Sequence, residues 1–178
     1  MTSNEKVLGS DRRKLLVKLL KEASSPIPGR ELGEITNVSR QVISGDITLL
    51  KAKGEPIIAT NRGYVYMHPM IEQNKIEKVI VCNHTSKQTE EELNMLVDHG
   101  ITVKDVKVEH PIYGDLTASV MVSNRLEVKN FIESIKQTNA SLLLELTEGI
   151  HLHTIIAKSE QEIKNAEEAL RKADILVE

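Results

Sequence analysis

The sequence predicts an α+β protein in two parts: a winged helix-turn-helix, followed by a domain with one sheet covered by helices on one face. Two observations predict this fold. Residues 29–67 read as helix, turn, helix and β-hairpin, and from residue 75 onward strand patterns alternate with helix patterns. The expected boundaries are residues 1–68 for the first domain, 69–74 for a linker and 75–178 for the second domain.

Charge is divided unevenly between the two parts. Residues 1–70 carry 11 Lys and Arg against 7 Asp and Glu, a net charge of +4, whereas residues 71–178 carry 12 against 19, a net charge of −7. A basic N-terminal part beside an acidic remainder favours a nucleic-acid-binding domain joined to a second domain. An excess of this size does not identify a DNA-binding protein by itself.

Composition excludes several classes of protein. The single cysteine, Cys82, excludes an internal disulfide and favours a reducing cytoplasm, and its apolar strand predicts a core position. The N-terminus has no apolar run typical of a signal peptide, and no segment is long enough to cross a bilayer. We therefore expect a cytoplasmic protein without a membrane partner.

The N-terminal part begins with an amphipathic helix in RRKLLVKLLKEA, for which Asp11 is the expected N-cap. SSPIPG ends this helix, GRELGEI forms the second, and Ser39 is expected to cap the third. In the third helix, Val42, Ile43, Ile47 and Leu50 are predicted to face inward.

The outward face of the third helix and the hairpin are predicted to contact DNA, because a winged helix-turn-helix places this helix in the major groove. Arg62, at the tip of the hairpin, is positioned for a phosphate or the minor groove. Gly45 allows close approach of either DNA or a neighbouring helix. A helical hairpin that binds no DNA is the alternative, and the hairpin wing argues against it. The predicted DNA-binding residues are Ser39, Arg40, Gln41, Ser44 and Arg62.

The C-terminal part alternates strands and helices. The predicted strands are IEKVIVCN, VKDVKVEHPIYG, LTASVMV, two short strands in SLLLELTEGIHLHTIIA around Glu148-Gly149, and a short edge strand in ILVE. The predicted helices run from about Thr89 to Asp98, over LEVKNFIESIKQ, and over SEQEIKNAEEALRKA with Ser159 and Glu162 as a capping box.

A candidate metal site combines His84, Glu92, His151 and His153. His151 and His153 are two residues apart on a predicted strand, so their side chains leave the same face about 6.5 Å apart. His84 lies where the preceding strand ends, and Glu92 lies in the next helix. Three imidazoles and a carboxylate suit one Zn²⁺, Ni²⁺ or similar ion per chain. The alternative is a set of exposed or hydrogen-bonded histidines.

His110 and Tyr113, in EHPIYG, are candidate ligand contacts beside the metal, and the alternative for His110 is a turn residue. The sequence contains no GxSxG, P-loop, GxGxxG or HExxH motif, so we expect no enzyme activity. A small metal-dependent hydrolase with an accessory DNA-binding domain is the competing interpretation.

The run VSRQVISGDITLLKAKGEPIIATNRGYVY resembles the winged helix of the biotin-repressor type. With VCNHTSKQTEEEL, VEHPIYGDL and GIHLHTI, the chain resembles the niacin-responsive transcriptional repressors of NAD biosynthesis, the NiaR family, which join a winged helix to a three-histidine (3H) regulatory domain. The resemblance implies a metal held by His84, Glu92, His151 and His153. It also implies nicotinic acid as corepressor, a homodimer, and repression of NAD-synthesis or niacin-uptake genes.

The predicted function is therefore a repressor whose metal-bound effector changes the spacing of two recognition helices on a palindromic double-stranded DNA operator. A repressor in which the ion itself is the effector is a further alternative.

Overall fold

The computed structural model describes residues 8–67 and 75–177. The chain divides into two compact units, Met1–Ile71 and Glu72–Glu178. Each unit has its own hydrophobic core. The predicted linker, residues 69–74, lies outside the described residues.

The N-terminal unit contains three helices and a hairpin: α1 (Gly9–Glu22), α2 (Gly29–Thr36), α3 (Arg40–Ala52), β1 (Ile57–Thr60) and β2 (Gly63–Tyr66). The core between them is built from aliphatic side chains: Leu16, Leu20, Leu32, Ile43, Ile47, Leu50 and Ile57. Val42, predicted to face inward, is only partly buried.

One of the two caps predicted here is confirmed. Ser39 caps α3, since its hydroxyl accepts a hydrogen bond from the backbone N–H of Val42 at 3.4 Å. The prediction that Asp11 caps α1 is wrong, because the helix begins earlier, at Gly9, and Leu8 occupies the N-cap position. Asp11 lies instead in the first turn, where a carboxylate still interacts favourably with the helix dipole.

The hairpin, or wing, is fixed to the segment that precedes α2. Ile27 and Tyr64 exchange two backbone hydrogen bonds of 3.0 and 2.9 Å. Gly63 makes this approach possible: its φ is +137°, and a Cβ at this position would lie 2.3 Å from the carbonyl oxygen of Ile27. The wing is therefore held beside the start of α2.

The C-terminal unit is an antiparallel sheet with three helices. Its elements are β3 (Ile76–Asn83), α4 (Thr89–Asp98), β4 (Thr102–His110), β5 (Gly114–Val122), α5 (Arg125–Thr138), β6 (Ile150–Ala157) and α6 (Glu160–Lys172). The strand order is β3-β6-β4-β5, so β6 enters between β3 and β4, and all pairings are antiparallel. The predicted α+β class is confirmed.

Strand β6 carries the functional side chains on its buried face. His151, His153, Ile155 and Ala157 alternate along the strand and are buried, whereas Ile150 is half-exposed on the other face. Its central position places both histidines beneath α4, between strands β3 and β4.

Two strand predictions in this unit are wrong. Most of SLLLEL forms a 3₁₀ helix, Leu143–Thr147, because the chain turns through left-handed Glu148 (φ 53°) and Gly149 (φ +107°) before β6. A single strand, β6, follows this turn. ILVE contributes an isolated bridge between Leu176 and Cys82 rather than an edge strand. The Ser159 N-cap of α6 is confirmed, since its hydroxyl accepts from the N–H of Glu162 at 3.3 Å. The Glu162 carboxylate accepts from the N–H of Lys158 at 2.8 Å rather than from that of Ser159, so the predicted capping box forms only in part.

Candidate metal centre and DNA-binding surface

The structure brings His84, Glu92, His151 and His153 together in the interior of the C-terminal unit. Their exposed fractions are 6%, 0%, 1% and 3% respectively. The two β6 histidines share one face of the sheet, and His84 follows the neighbouring strand β3. A 3₁₀ turn at Ser86–Gln88, closed by a capping box between Thr85 and Gln88, leads the chain into α4 and places Glu92 over them.

The carboxylate of Glu92 is the centre of the cluster. Its Oε2 lies 2.8 Å from Nε2 of His84 and 3.4 Å from Nε2 of His153. Its Oε1 lies 3.2 Å from Nε2 of His151. The same nitrogen of all three rings therefore faces one carboxylate.

The other nitrogen of each ring is fixed by a backbone carbonyl. Nδ1 of His84, His151 and His153 lies 2.8 Å from the carbonyl oxygens of Thr85, Gly149 and Asp105, respectively. Because a carbonyl oxygen only accepts, each Nδ1 must carry the proton. Each Nε2 is thus available either to hold a second proton or to bind a cation, which is the arrangement that orients histidine ligands in metal sites.

Electrostatics in the cluster favours charge separation. Burial opposes ionisation of Glu92, but the charge of His153 and hydrogen bonds from the three rings outweigh it and lower the pKa of Glu92 well below its usual value. Burial likewise disfavours protonation of His84 and His153, yet Glu92 outweighs it and raises the pKa of both. The cluster is thus an anion surrounded by imidazoles, a place suited to positive charge.

Cys82 also lies in this cluster, which its apolar strand did not indicate. It is fully buried on β3 directly opposite His151, and its Sγ, a Glu92 carboxylate oxygen and a His151 ring nitrogen all lie within 4.8 Å of one another. Burial, followed by the charge of Glu92, raises the pKa of the Cys82 thiol. Its position opposite His151 follows from strand register, which one sequence does not give.

A small cavity of about 30 Å³ adjoins the cluster. Its lining is mostly apolar and includes Thr89, Phe131, Leu142, Leu143 and Leu144. The Thr89 hydroxyl is buried without a hydrogen-bond partner among the described residues. A buried hydroxyl of this kind is uncommon and marks a place where a polar group can be received.

His110 and Tyr113 lie elsewhere, at the turn between β4 and β5. Nδ1 of His110 accepts hydrogen bonds from the N–H groups of Ile112 and Tyr113 at 3.2 and 3.3 Å. The Tyr113 side chain is exposed, and neither residue lines the cavity beside Glu92. His110 is thus the last residue of β4, where its ring holds the N–H groups of the following turn, and its contact with a ligand stays a prediction.

The predicted DNA-binding residues lie on one exposed region of the N-terminal unit. Arg40, Gln41 and Ser44 are exposed on the outer side of α3, and Ser39 precedes them as the N-cap. Among residues 8–67 and 75–177, no atom beyond its chain neighbours and its own helix backbone lies within 4 Å of the position that a Gly45 Cβ would occupy, so this glycine does not serve packing against a described helix.

Three arginines surround a cavity beside this face. Arg30, Arg40 and Arg62 line an open space of about 310 Å³ between the start of α2 and the wing. Gly29 lets the side chains of Tyr64 and Arg40 approach closely, since its Cβ would lie 3.2 and 3.5 Å from them. A basic cavity at a helix start suits a phosphate group.

Comparisons with known proteins agree with both units. An HTH domain model matches residues 12–65, and a 3H domain model matches residues 77–178. No helix among the described residues, 8–67 and 75–177, is long and apolar enough to span a membrane.

Two curated proteins are similar over almost the whole chain. Transcription repressor NadR of Bacillus subtilis is 53% identical over 178 residues, which cover 99% of each chain. Probable transcription repressor NiaR of Thermotoga maritima is 35% identical over 173 residues, which cover 97% of each chain. Since these relatives are repressors rather than enzymes, the expected absence of enzyme activity agrees with them. The chain belongs to the NadR/NiaR family of transcription repressors, in which a helix-turn-helix domain precedes a 3H domain.

Proposed function

We propose that this repressor controls genes of NAD biosynthesis or niacin uptake in the cytoplasm, with nicotinic acid as corepressor bound at or near a metal centre. The observation that supports the metal centre best is the buried Glu92 carboxylate, which the Nε2 atoms of three histidines contact. The Nδ1 atom of each of these histidines is bonded to a backbone carbonyl. The family relationship supports the choice of genes and corepressor.

The donor atoms at the cluster fit a divalent transition metal. His84, Glu92, His151 and His153 would hold one Ni²⁺ or Zn²⁺ per chain, because imidazole nitrogen and carboxylate oxygen are ligands of both ions. A bound ion would supply a positive centre able to attract the carboxylate or pyridine nitrogen of nicotinic acid. The protein residues provide the ligands, keep the imidazoles in one tautomer and exclude bulk water.

The cavity beside the cluster is the proposed effector subsite. Phe131 offers an aromatic face to a pyridine ring, and the unpaired Thr89 hydroxyl offers a hydrogen bond to a carboxylate. A cavity of about 30 Å³ holds roughly one water molecule, so a pyridine ring would fit only after the lining moves, and we propose that Leu142–Leu144 moves outward. Effector binding is thereby linked to a change in backbone conformation before β6, and the difference in affinity between the two conformations sets the response.

DNA binding is proposed to use a homodimer on a palindromic operator. Two copies of α3 would enter major grooves of half-sites separated by about one turn of DNA or a multiple of it. Arg40, Gln41 and Ser44, on the exposed side of α3, would meet base edges, while Arg30 and Arg62 would meet phosphates from the side of the cavity next to the wing.

The proposal is tested by titrating the full chain onto labelled duplex DNA selected from a random library by the metal-loaded protein with nicotinic acid. We expect nicotinic acid to tighten binding by about 5–150-fold, the range typical of allosteric coupling. Nicotinamide is the matched control, because it has the same ring without the carboxylate charge. Equal affinity with nicotinic acid, nicotinamide and no addition would exclude the corepressor role.

A direct metal sensor is the second candidate, and the small size of the cavity favours it. To distinguish the metal sensor from the corepressor mechanism, the metal is removed with a chelator and then returned without nicotinic acid. Recovery of full DNA affinity with metal alone supports the sensor, whereas recovery only with metal and nicotinic acid supports the corepressor.

A further inference from the structure

The metal centre proposed above has a sulfur atom at its edge. Cys82 and His151 are direct cross-strand partners on β3 and β6, and both side chains are buried on the face that Glu92 covers. The thiol, a Glu92 oxygen and a His151 nitrogen lie within 4.8 Å of one another, so sulfur, oxygen and nitrogen donors converge. No other cysteine is present in the chain, and so this thiol has no disulfide partner within it.

We propose that Cys82 is a ligand of the same centre and gives it a sulfur donor in addition to the imidazoles and the carboxylate. This inference rests on the proposed metal centre. When the metal–sulfur bond forms, the thiol proton is released to solvent, since only the thiolate binds metals.

The consequence is a preference between ions. Imidazole and carboxylate ligands alone suit several divalent metals, but thiolate is a soft ligand that favours zinc over manganese and magnesium. Cys82 is therefore a residue that determines metal specificity.

Cobalt is a suitable probe, because Co²⁺ bound to thiolate has an intense near-ultraviolet charge-transfer absorption that imidazole and carboxylate ligands do not produce. The metal-free full chain is titrated with Co²⁺ alone. We expect visible d–d bands and the near-ultraviolet band in the natural protein. In Cys82→Ser we expect the visible bands to remain and the near-ultraviolet band to be lost.

Competition between Zn²⁺ and Mn²⁺ provides the second measurement. Loss of a partner that only orients a ligand already lowers metal affinity roughly 10–100-fold, so loss of a ligand should lower Zn²⁺ affinity at least tenfold. Mn²⁺ affinity should change much less. Cys82→Ala, which has no γ atom, guards against an effect of the serine hydroxyl, and circular dichroism of both variants checks folding.

The possible failures are distinguishable. Visible Co²⁺ bands without the near-ultraviolet band in the natural protein would overturn the role of Cys82 and leave the metal centre standing. Complete absence of Co²⁺ and Zn²⁺ binding would overturn the metal centre and the Cys82 proposal together. Equal Zn²⁺ affinity in the natural protein and both Cys82 variants would also overturn the proposal.

Discussion

Arg12 and Asp46 form a buried ion pair between α1 and α3, with 2.5 Å between Nε and Oδ2. Arg13 contacts the other oxygen of the same carboxylate at 3.0 Å. Asp46 is only 4% exposed, so its charge is compensated by these two guanidinium groups rather than by water. The pair links the first helix to the inner side of the helix predicted to read DNA.

Asp46→Asn should strongly destabilise the N-terminal unit, because it removes the buried carboxylate charge that faces the guanidinium groups of Arg12 and Arg13. We expect a loss of about 3–5 kcal/mol in the free energy of unfolding, measured by urea denaturation. Glu34→Gln is the matched control, since it breaks an exposed ion pair with Arg30 in the same unit. It should cost at most about 0.5 kcal/mol. Similar losses in the two variants would show that the buried pair has no special weight.

Arg62→Ala should weaken binding to all DNA sequences alike, because Arg62 is placed to contact a phosphate. Removing one phosphate contact lowers the slope of log K against log salt by about 0.9. Arg40→Ala should weaken binding and also alter base preference, since Arg40 begins the predicted recognition helix. Fluorescence anisotropy on selected and scrambled duplexes at several salt concentrations measures both effects.

Lys129→Ala is the control for these arginine variants, because it removes one positive charge from exposed α5 in the other unit. Its DNA affinity and salt slope should equal those of the natural protein. Unchanged DNA binding in both arginine variants would mean that the reading face lies elsewhere.

His151→Ala should lower bound metal and the response to nicotinic acid while the protein remains folded. Elemental analysis of protein purified without an affinity tag measures the metal, and circular dichroism checks the fold. His99→Ala is the control, since His99 bonds the backbone of Met95 at the end of α4 and lies outside the cluster. Equal metal content in the two variants would contradict the assignment of His151.

Metal binding should weaken as pH falls, because the metal competes with protons at His84 and His153. The pKa of each is raised in the metal-free folded protein, so both retain protons above the ordinary value of 6.5. We expect Zn²⁺ affinity, measured by competition with a chelating dye, to rise from pH 6 to pH 8. A flat profile would argue against these histidines as ligands.

The stability of the metal-free protein should decrease as the pH rises, whereas its affinity for metal increases. A raised folded-state pKa contributes stability that is fully present below 6.5 and lost as pH rises through the folded value. The lowered pKa of Glu92 contributes stability that is present above 4.5 and lost as pH falls through its folded value. In chelator, the melting temperature should therefore fall as the pH rises above 6.5, and added Zn²⁺ should restore it.

Pattern was enough to predict the parts of the site that depend on local periodicity. The two-residue spacing of His151 and His153 fixes a common face of a strand, and Ser39 caps α3 as its residue type predicts. Cys82 is buried in the core, as its apolar strand predicts. Its place opposite His151 could not be predicted, because it depends on strand register between segments nearly 70 residues apart.

Tertiary partners explain the remaining differences. The sequence around Asp46 does not indicate that this residue is buried, because its partner Arg12 lies 34 residues earlier in the chain. The apolar run before Glu148 has the pattern of a strand. It does not form one, because the chain turns at Gly149 close to His84: a Cβ on Gly149 would lie 2.6 Å from the carbonyl oxygen of His84. Long-range geometry, rather than local preference, decided both cases.

The empty space around Gly45 has a consequence for how operator preference can change. Glycine in a helix interior costs roughly 1 kcal/mol relative to alanine, and here no crowding in the described residues demands it. A side chain introduced at this position would project outward from α3 without disturbing the core. A substitution here would therefore change the surface that the proposed recognition helix presents to DNA while keeping, or even increasing, the stability of the domain.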